Sequence, residues 1–119
     1  MKNIHYMTSI AFFVSLLAIE YLATTTLEIK SLQNSWDKAN HFLAFFVLYV
    51  LLYYSHFELS KVSCFLLLLA FGVQIEIIQY FIPGREFSLF DVVADSLGLF
   101  LGILSVTFVS QRVNAKLVK

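Results

Sequence analysis

The chain has 119 residues, 60% of them hydrophobic and only 13% charged, with eight Lys and Arg balancing eight Asp and Glu. Soluble domains run nearer half apolar and a quarter charged, so this balance argues against a water-exposed globule. A net charge of zero with no basic block gives nucleic acid nothing to bind, and Cys64, standing alone, excludes an intrachain disulfide or a thiolate metal cluster.

Four apolar runs, approximately 6–27, 39–56, 62–82 and 89–110, cover most of the chain. Each is close to the ~17–25 residues a helix needs to cross a hydrocarbon core of ~30 Å. A soluble bundle would need a polar face on each helix, and residues 42–54 and 64–73 have almost none. The expected fold is therefore all-α: one transmembrane domain over residues 1–119, built as an integral membrane four-helix bundle.

The first run is preceded by a single Lys and followed by no A-x-A cleavage site, so it is expected to stay as a helix and not to be removed as a signal peptide. The second run is the shortest and spans only with Asn40, His41 and His56 at the interfaces. The third ends before Pro83, which lacks an N–H and disfavours helix ahead of it, and Gly84 permits a tight reversal. The fourth opens with Ser88 as a candidate cap and Asp91 in the first turn, where the helix dipole favours negative charge. Cys64, within the third run, reads as a small packing residue.

Connections at 28–38, 57–61 and 83–88 are short, so neighbouring helices are expected to be antiparallel, with both termini on one side. Lys2, Lys61, Arg112, Lys116 and Lys119 share that side, against Lys30, Lys38 and Arg85 on the other. Positive residues favour the cytoplasm, which places both termini there. The expected location is the cytoplasmic membrane, multi-pass, with 28–38 and 83–88 facing outward.

This arrangement gathers polar groups in the outer half of the bilayer. The first helix carries Glu20, the second opens with Asp37, Lys38 and His41, the third ends with Glu76 and Gln79, and the fourth begins with Asp91 and Asp95. At ~1.5 Å per residue, Glu20, Glu76 and Asp95 lie roughly 10 Å below the outer helix ends. Asp91, Asp95, Gly98 and Gly102 follow one helical stripe, and Gly72, Glu76 and Gln79 a second. Glycines at this spacing let helices approach closely in lipid, so Gly72, Gly98 and Gly102 read as packing residues, within the chain or in a homo-oligomer. His5 and His56 fall at the opposite end and receive no role.

An ionised carboxylate at the bilayer centre costs about 2.5–3.5 kcal/mol on insertion scales, so such groups face a bundle interior, a wet cavity or a partner charge. Asp37, Lys38 and Arg85 also suit interfacial anchoring, and Glu20 can reach the headgroups if its helix tilts. Glu76 and Asp95 are hardest to explain structurally. The outer set Asp37, Lys38, His41, Glu76, Gln79, Arg85, Asp91 and Asp95 is the candidate ligand-binding pocket.

The motifs Trp36-Asp37-Lys38-x-x-His41-Phe42-x-x-Phe45, Glu76-x-x-Gln79-x-x-x-Pro83-Gly84-Arg85 and Asp91-x-x-x-Asp95-x-x-Gly98-x-x-x-Gly102 resemble the VanZ-like family over about residues 36–102. Family members often carry Asn where Asp95 stands, which gives this chain an additional titratable group. The resemblance implies a bacterial membrane protein, the founding member being linked to resistance to the glycopeptide antibiotic teicoplanin.

Three functions fit these residues. In the first, the pocket binds the headgroup of an amphiphile such as a lipid-linked cell-wall precursor, a phospholipid or a lipoglycopeptide, with Arg85 and Lys38 holding phosphate or carboxylate. In the second, an intramembrane enzyme processes a lipid phosphate, with His41 or Glu76 as general base, Arg85 stabilising negative charge, and Asp91 or Asp95 holding His41. The third is a small transporter moving protons through Glu76 and Asp95. No serine or cysteine nucleophile motif supports catalysis, and the binding reading leads. His41, Glu76 and Asp95 form at most an unspecific hard-metal set, so no metal is expected and the sequence requires no cofactor.

Overall fold

Helix α1 spans Lys2–Thr24, α2 Asp37–Tyr53, α3 Lys61–Tyr80 and α4 Leu89–Val118. The computed structural model describes residues 2–24, 37–82 and 89–118, and the side chains of 3–24, 39–82 and 89–113. No strand occurs among the described residues. The turn at 83–88, the side chains of Asp37, Lys38 and Arg85, and the candidate cap Ser88 lie outside them.

Among the described residues, three helices contain segments long and apolar enough to cross a membrane: Asn3–Thr24, Lys61–Tyr80 and Leu89–Val113. The apolar part of α2, Ala39–Tyr53, is shorter. Two helices run beyond their apolar stretches, α1 at its start and α4 at its end, because backbone hydrogen bonding does not stop where side chains become polar. At the other end of α3 the helix tightens before Pro83. The N–H groups of Phe81 and Ile82 donate to the carbonyls three residues back, at 3.0 and 3.1 Å, the tighter pattern common at helix ends.

The buried stripes explain the packing. Helix α3 buries Cys64, Leu68, Gly72, Ile75, Glu76 and Gln79, one face that begins apolar and ends polar. Helix α4 buries Asp91, Ala94, Asp95, Gly98, Leu99, Gly102 and Val106, in the reverse order of polarity. Against both lies α2, whose Phe45, Leu48, Tyr49 and Leu52 form the centre of the core. The outward faces are apolar as well: Leu17, Leu66, Phe100 and Phe108 are all more than half exposed. Continuous apolar surface on this scale marks a lipid or partner contact.

The closest approach is between α2 and α4. A Cβ added at Gly98 would collide with the backbone carbonyl oxygen of Phe42. One at Gly102 would sit 2.7 to 2.8 Å from Tyr49 side-chain atoms. Residues pair in ascending order along these two helices, Phe42 with Gly98 and Tyr49 with Gly102.

At the far end of α2, polar groups tie the helices together. The Tyr49 hydroxyl donates to the carbonyl of Lys61 at 3.0 Å, and the Ser60 side chain caps α3 by accepting from the N–H of Ser63 at 3.1 Å. His5 Nδ1 lies 2.8 Å from the carbonyl oxygen of Tyr54, which only accepts, so Nδ1 carries the proton. Ser9 Oγ donates to the His5 carbonyl at 2.8 Å. It accepts from the His56 N–H at 3.1 Å and lies 2.6 Å from His56 Nδ1. The two histidines left without a role by sequence thus fasten the start of α1 to the end of α2, where carbonyls lack helical partners.

Replacing Gly98 by Ala is expected to destabilise the protein more than replacing Gly102, because a backbone carbonyl cannot rotate away from the new methyl. Overpacking of this kind costs about 1–3 kcal/mol. Thermal unfolding of the detergent-solubilised variants, followed by circular dichroism, checks the order. Ser9→Ala is expected to lose about 1 kcal/mol by the same measurement, the usual net value of a hydrogen bond.

Candidate functional site

The polar ends of the α3 and α4 stripes meet the start of α2. His41 lies one turn into α2, with a side chain 12% exposed. Its Nδ1 is 2.8 Å from Asp95 Oδ1, within the range of a charge-assisted hydrogen bond. With Asp95 ionised, Nδ1–H donates and the Nε2 lone pair faces away from it. Nε2 is 3.9 Å from Asp91 Oδ2, too long for a hydrogen bond but close enough for electrostatic coupling.

Burial sharpens this geometry. Glu76 and Asp95 are both 0% exposed, and Asp91 is 6% exposed. One ligand atom from each of His41, Glu76 and Asp91 lies within 4.8 Å of the other two. Three helices contribute, so the arrangement exists only in the packed bundle. The local sequence accounts for each position. Asp91 and Asp95 are four residues apart on one face of α4, so both reach the single imidazole. Gly72 on α3 leaves room for the Asp95 carboxylate: a Cβ there would lie 2.7 Å from Asp95 Oδ2 and 3.2 Å from the Phe45 ring. The Phe45 ring stacks parallel to His41, 6.5 Å away between centroids, and walls the site on the core side.

Gln79 is buried, and its amide donates to the carbonyl of Ala23 at 2.8 Å. It anchors the end of α1 one helical turn along α3 from Glu76. Glu20 is half-buried on α1, and its Oε1 accepts from Gln74 Nε2 at 2.8 Å. Gln74 plays no part in the stripes and sequence reasoning passed over it. An amide within a largely apolar helix was the available signal, since such groups bridge helices in lipid. The depression along Leu104, Ser105, Thr107, Phe108 and Gln111 is lined by α4 alone and contains no titratable side chain.

The VanZ/LLP1 family model matches residues 2–110, and the chain belongs to that family. The match extends beyond the motif-bearing part of the chain and takes in α1. No curated protein and no solved structure matches the chain significantly.

The His41–Asp95 contact yields a direct spectroscopic expectation. Nitrogen-15 spectra of imidazole-labelled protein should place the proton on His41 Nδ1, and Asp95→Leu should remove that preference. Gly72→Ala should perturb the same signal while the protein remains folded, because its methyl meets the Asp95 carboxylate and not a backbone atom.

Proposed function

We propose that this VanZ/LLP1 family member is a multi-pass protein of the cytoplasmic membrane that binds the polar headgroup of an amphiphile at the His41 cluster. The observation that carries the reading is the buried set Glu76, Asp91 and Asp95, with the partly buried His41, at one end of a bundle whose helices carry many exposed apolar side chains. Carboxylates and an imidazole accept hydrogen bonds from the hydroxyl and amino groups of such a headgroup. Lys38 and Arg85, placed by sequence at the same end, would hold its phosphate or carboxylate. A lipid-linked cell-wall precursor, a phospholipid or a lipoglycopeptide has this chemistry, and teicoplanin resistance is the corresponding phenotype.

In this reading all four helices cross the bilayer with antiparallel neighbours, both termini are cytoplasmic, and the cluster faces outward. The contacts support the alternation. His5 meets Tyr54, Gln79 meets Ala23, and Phe42 and Tyr49 meet Gly98 and Gly102 in matching order. The charge bias, five Lys and Arg against three, supports the orientation.

A second reading has a specific observation in its favour. Asp95 holding His41 Nδ1 is how a carboxylate orients a general base, and Glu76 beside it suits processing of a lipid phosphate, with Arg85 stabilising the developing charge.

Binding of a fluorescent short-chain polyprenyl diphosphate linked to an amino sugar, which supplies the hydroxyl and amino donors, to the purified protein tests the first reading. Wild type should bind saturably, and His41→Ala and Glu76→Gln should each weaken binding at least tenfold. Unchanged affinity in both would sink it. Phosphate release from the same probe, abolished by both substitutions, would instead establish the second.

A further inference from the structure

We propose that His41, Glu76 and Asp91 are the protein ligands of a divalent transition-metal cation, with Asp95 as the residue that positions the imidazole. The proposal rests on the same cluster as the headgroup reading, yet it is measured without any lipid. Three observations carry it. One donor atom comes from each of three helices, all within 4.8 Å of one another, so the grouping is tertiary and not a by-product of neighbouring residues on one helix. The donors are mixed, with an imidazole nitrogen and two carboxylates. Imidazole suits Zn, Fe, Ni or Cu, whereas carboxylates also admit Mn, and Mg and Ca prefer oxygen alone.

The third observation is the carboxylate behind the imidazole. Asp95 Oδ1 sits 2.8 Å from His41 Nδ1, and Nε2 is the nitrogen that looks toward Asp91. Metal-bound histidines commonly donate their other N–H to a carboxylate, which fixes the tautomer and raises basicity. The sequence alone had grouped His41 and Glu76 with Asp95; the structure engages Asp95 on Nδ1 and brings Asp91 to the ligand position. Gly72 matters here too, since only a residue without Cβ leaves the Asp95 carboxylate its place.

Two ligands of a tetrahedral ion with bonds of ~2.1 Å lie about 3.4 Å apart. The His41–Asp91 separation of 3.9 Å is near that value, and since all pairs lie within 4.8 Å none must close by more than roughly 1.4 Å. Rotation of the Glu76 side chain, the longest of the carboxylates, can supply most of it. Entry would be along the His41 edge, the part of the cluster that retains exposure. A cation there would neutralise the carboxylates and present open coordination positions to a headgroup phosphate.

The test uses full-length protein carrying a tag without histidine, stripped with EDTA, desalted and titrated with manganese chloride and, in parallel, zinc chloride. Electron paramagnetic resonance should give one tightly bound Mn2+ per chain, with nitrogen coupling from an imidazole. His41→Ala should abolish that coupling, and Glu76→Gln and Asp91→Asn should each weaken binding at least tenfold. Asp95→Asn should weaken it by about 10–100-fold while keeping the nitrogen signal, as expected of an orienting partner. Circular dichroism identifies variants that fail to fold, and the three carboxylate-to-amide substitutions, which keep the side-chain shape, then decide. Binding below a tenth of an equivalent for both metals, or nitrogen coupling that survives His41→Ala, overturns the proposal. Probe binding that persists in EDTA alongside failed metal uptake removes the cation reading alone. Metal uptake without any probe binding supports the cation site and removes the headgroup reading.

Discussion

The contact between Gly98 and the carbonyl of Phe42 sets the rest of the structure. Backbone touches backbone there, so α2 and α4 lie as close as two helices can. His41 precedes Phe42 by one residue, and Asp95 precedes Gly98 by three. Fixing the second pair therefore fixes the first. The 2.8 Å contact between His41 and Asp95 follows from a steric constraint one helical turn away. Gly102 against Tyr49 repeats the approach deeper in the bundle and removes the remaining freedom to pivot. Helix α3 is then placed by a different kind of fit, since Gly72 accommodates a carboxylate in place of a backbone.

The two ends of the bundle use polar groups differently. At the end of α2, His5 and Thr8 donate to the carbonyl of Tyr54, and Ser9 accepts from the N–H of His56. Hydrogen bonds there are local bookkeeping for helix termini. At the start of α2 the titratable groups meet one another across three helices and lie fully or almost fully buried. Burying carboxylates together opposes folding unless charge and hydrogen bonds are compensated. The glycine contacts set the helix positions that bring these groups together.

Much of this was legible in the sequence. The helices followed from run length, and the Asp91-Asp95-Gly98-Gly102 and Gly72-Glu76-Gln79 spacings from one period. Which carboxylate takes which imidazole nitrogen was not legible. A helix turns ~100° per residue, and a modest rotation of α2 would exchange the two aspartates around His41. Gln74 with Glu20, and His5 with Tyr54, were missed because their partners lie elsewhere in the chain, and one is a backbone carbonyl. Those pairings depend on where helices end and how they cross, which side-chain spacing along a single helix does not encode. The length of α2 shows the same limit: its apolar run looked long enough to span until Tyr54–His56 turned out to be a connection.

That shortness has a consequence for how water meets the site. At ~1.5 Å per residue, the 17 residues of α2 reach about 25 Å, less than the ~30 Å of a typical hydrocarbon core. A short helix surrounded by longer ones draws the polar boundary inward around its ends. His41 is only four residues from the start of α2, so its depth is measured from that lowered rim and not from the tips of α3 and α4. On the proposed membrane arrangement, the cluster would lie at the floor of a dimple in the bilayer. An ion or a polar headgroup would reach it down a wetted slope, without having to cross hydrocarbon.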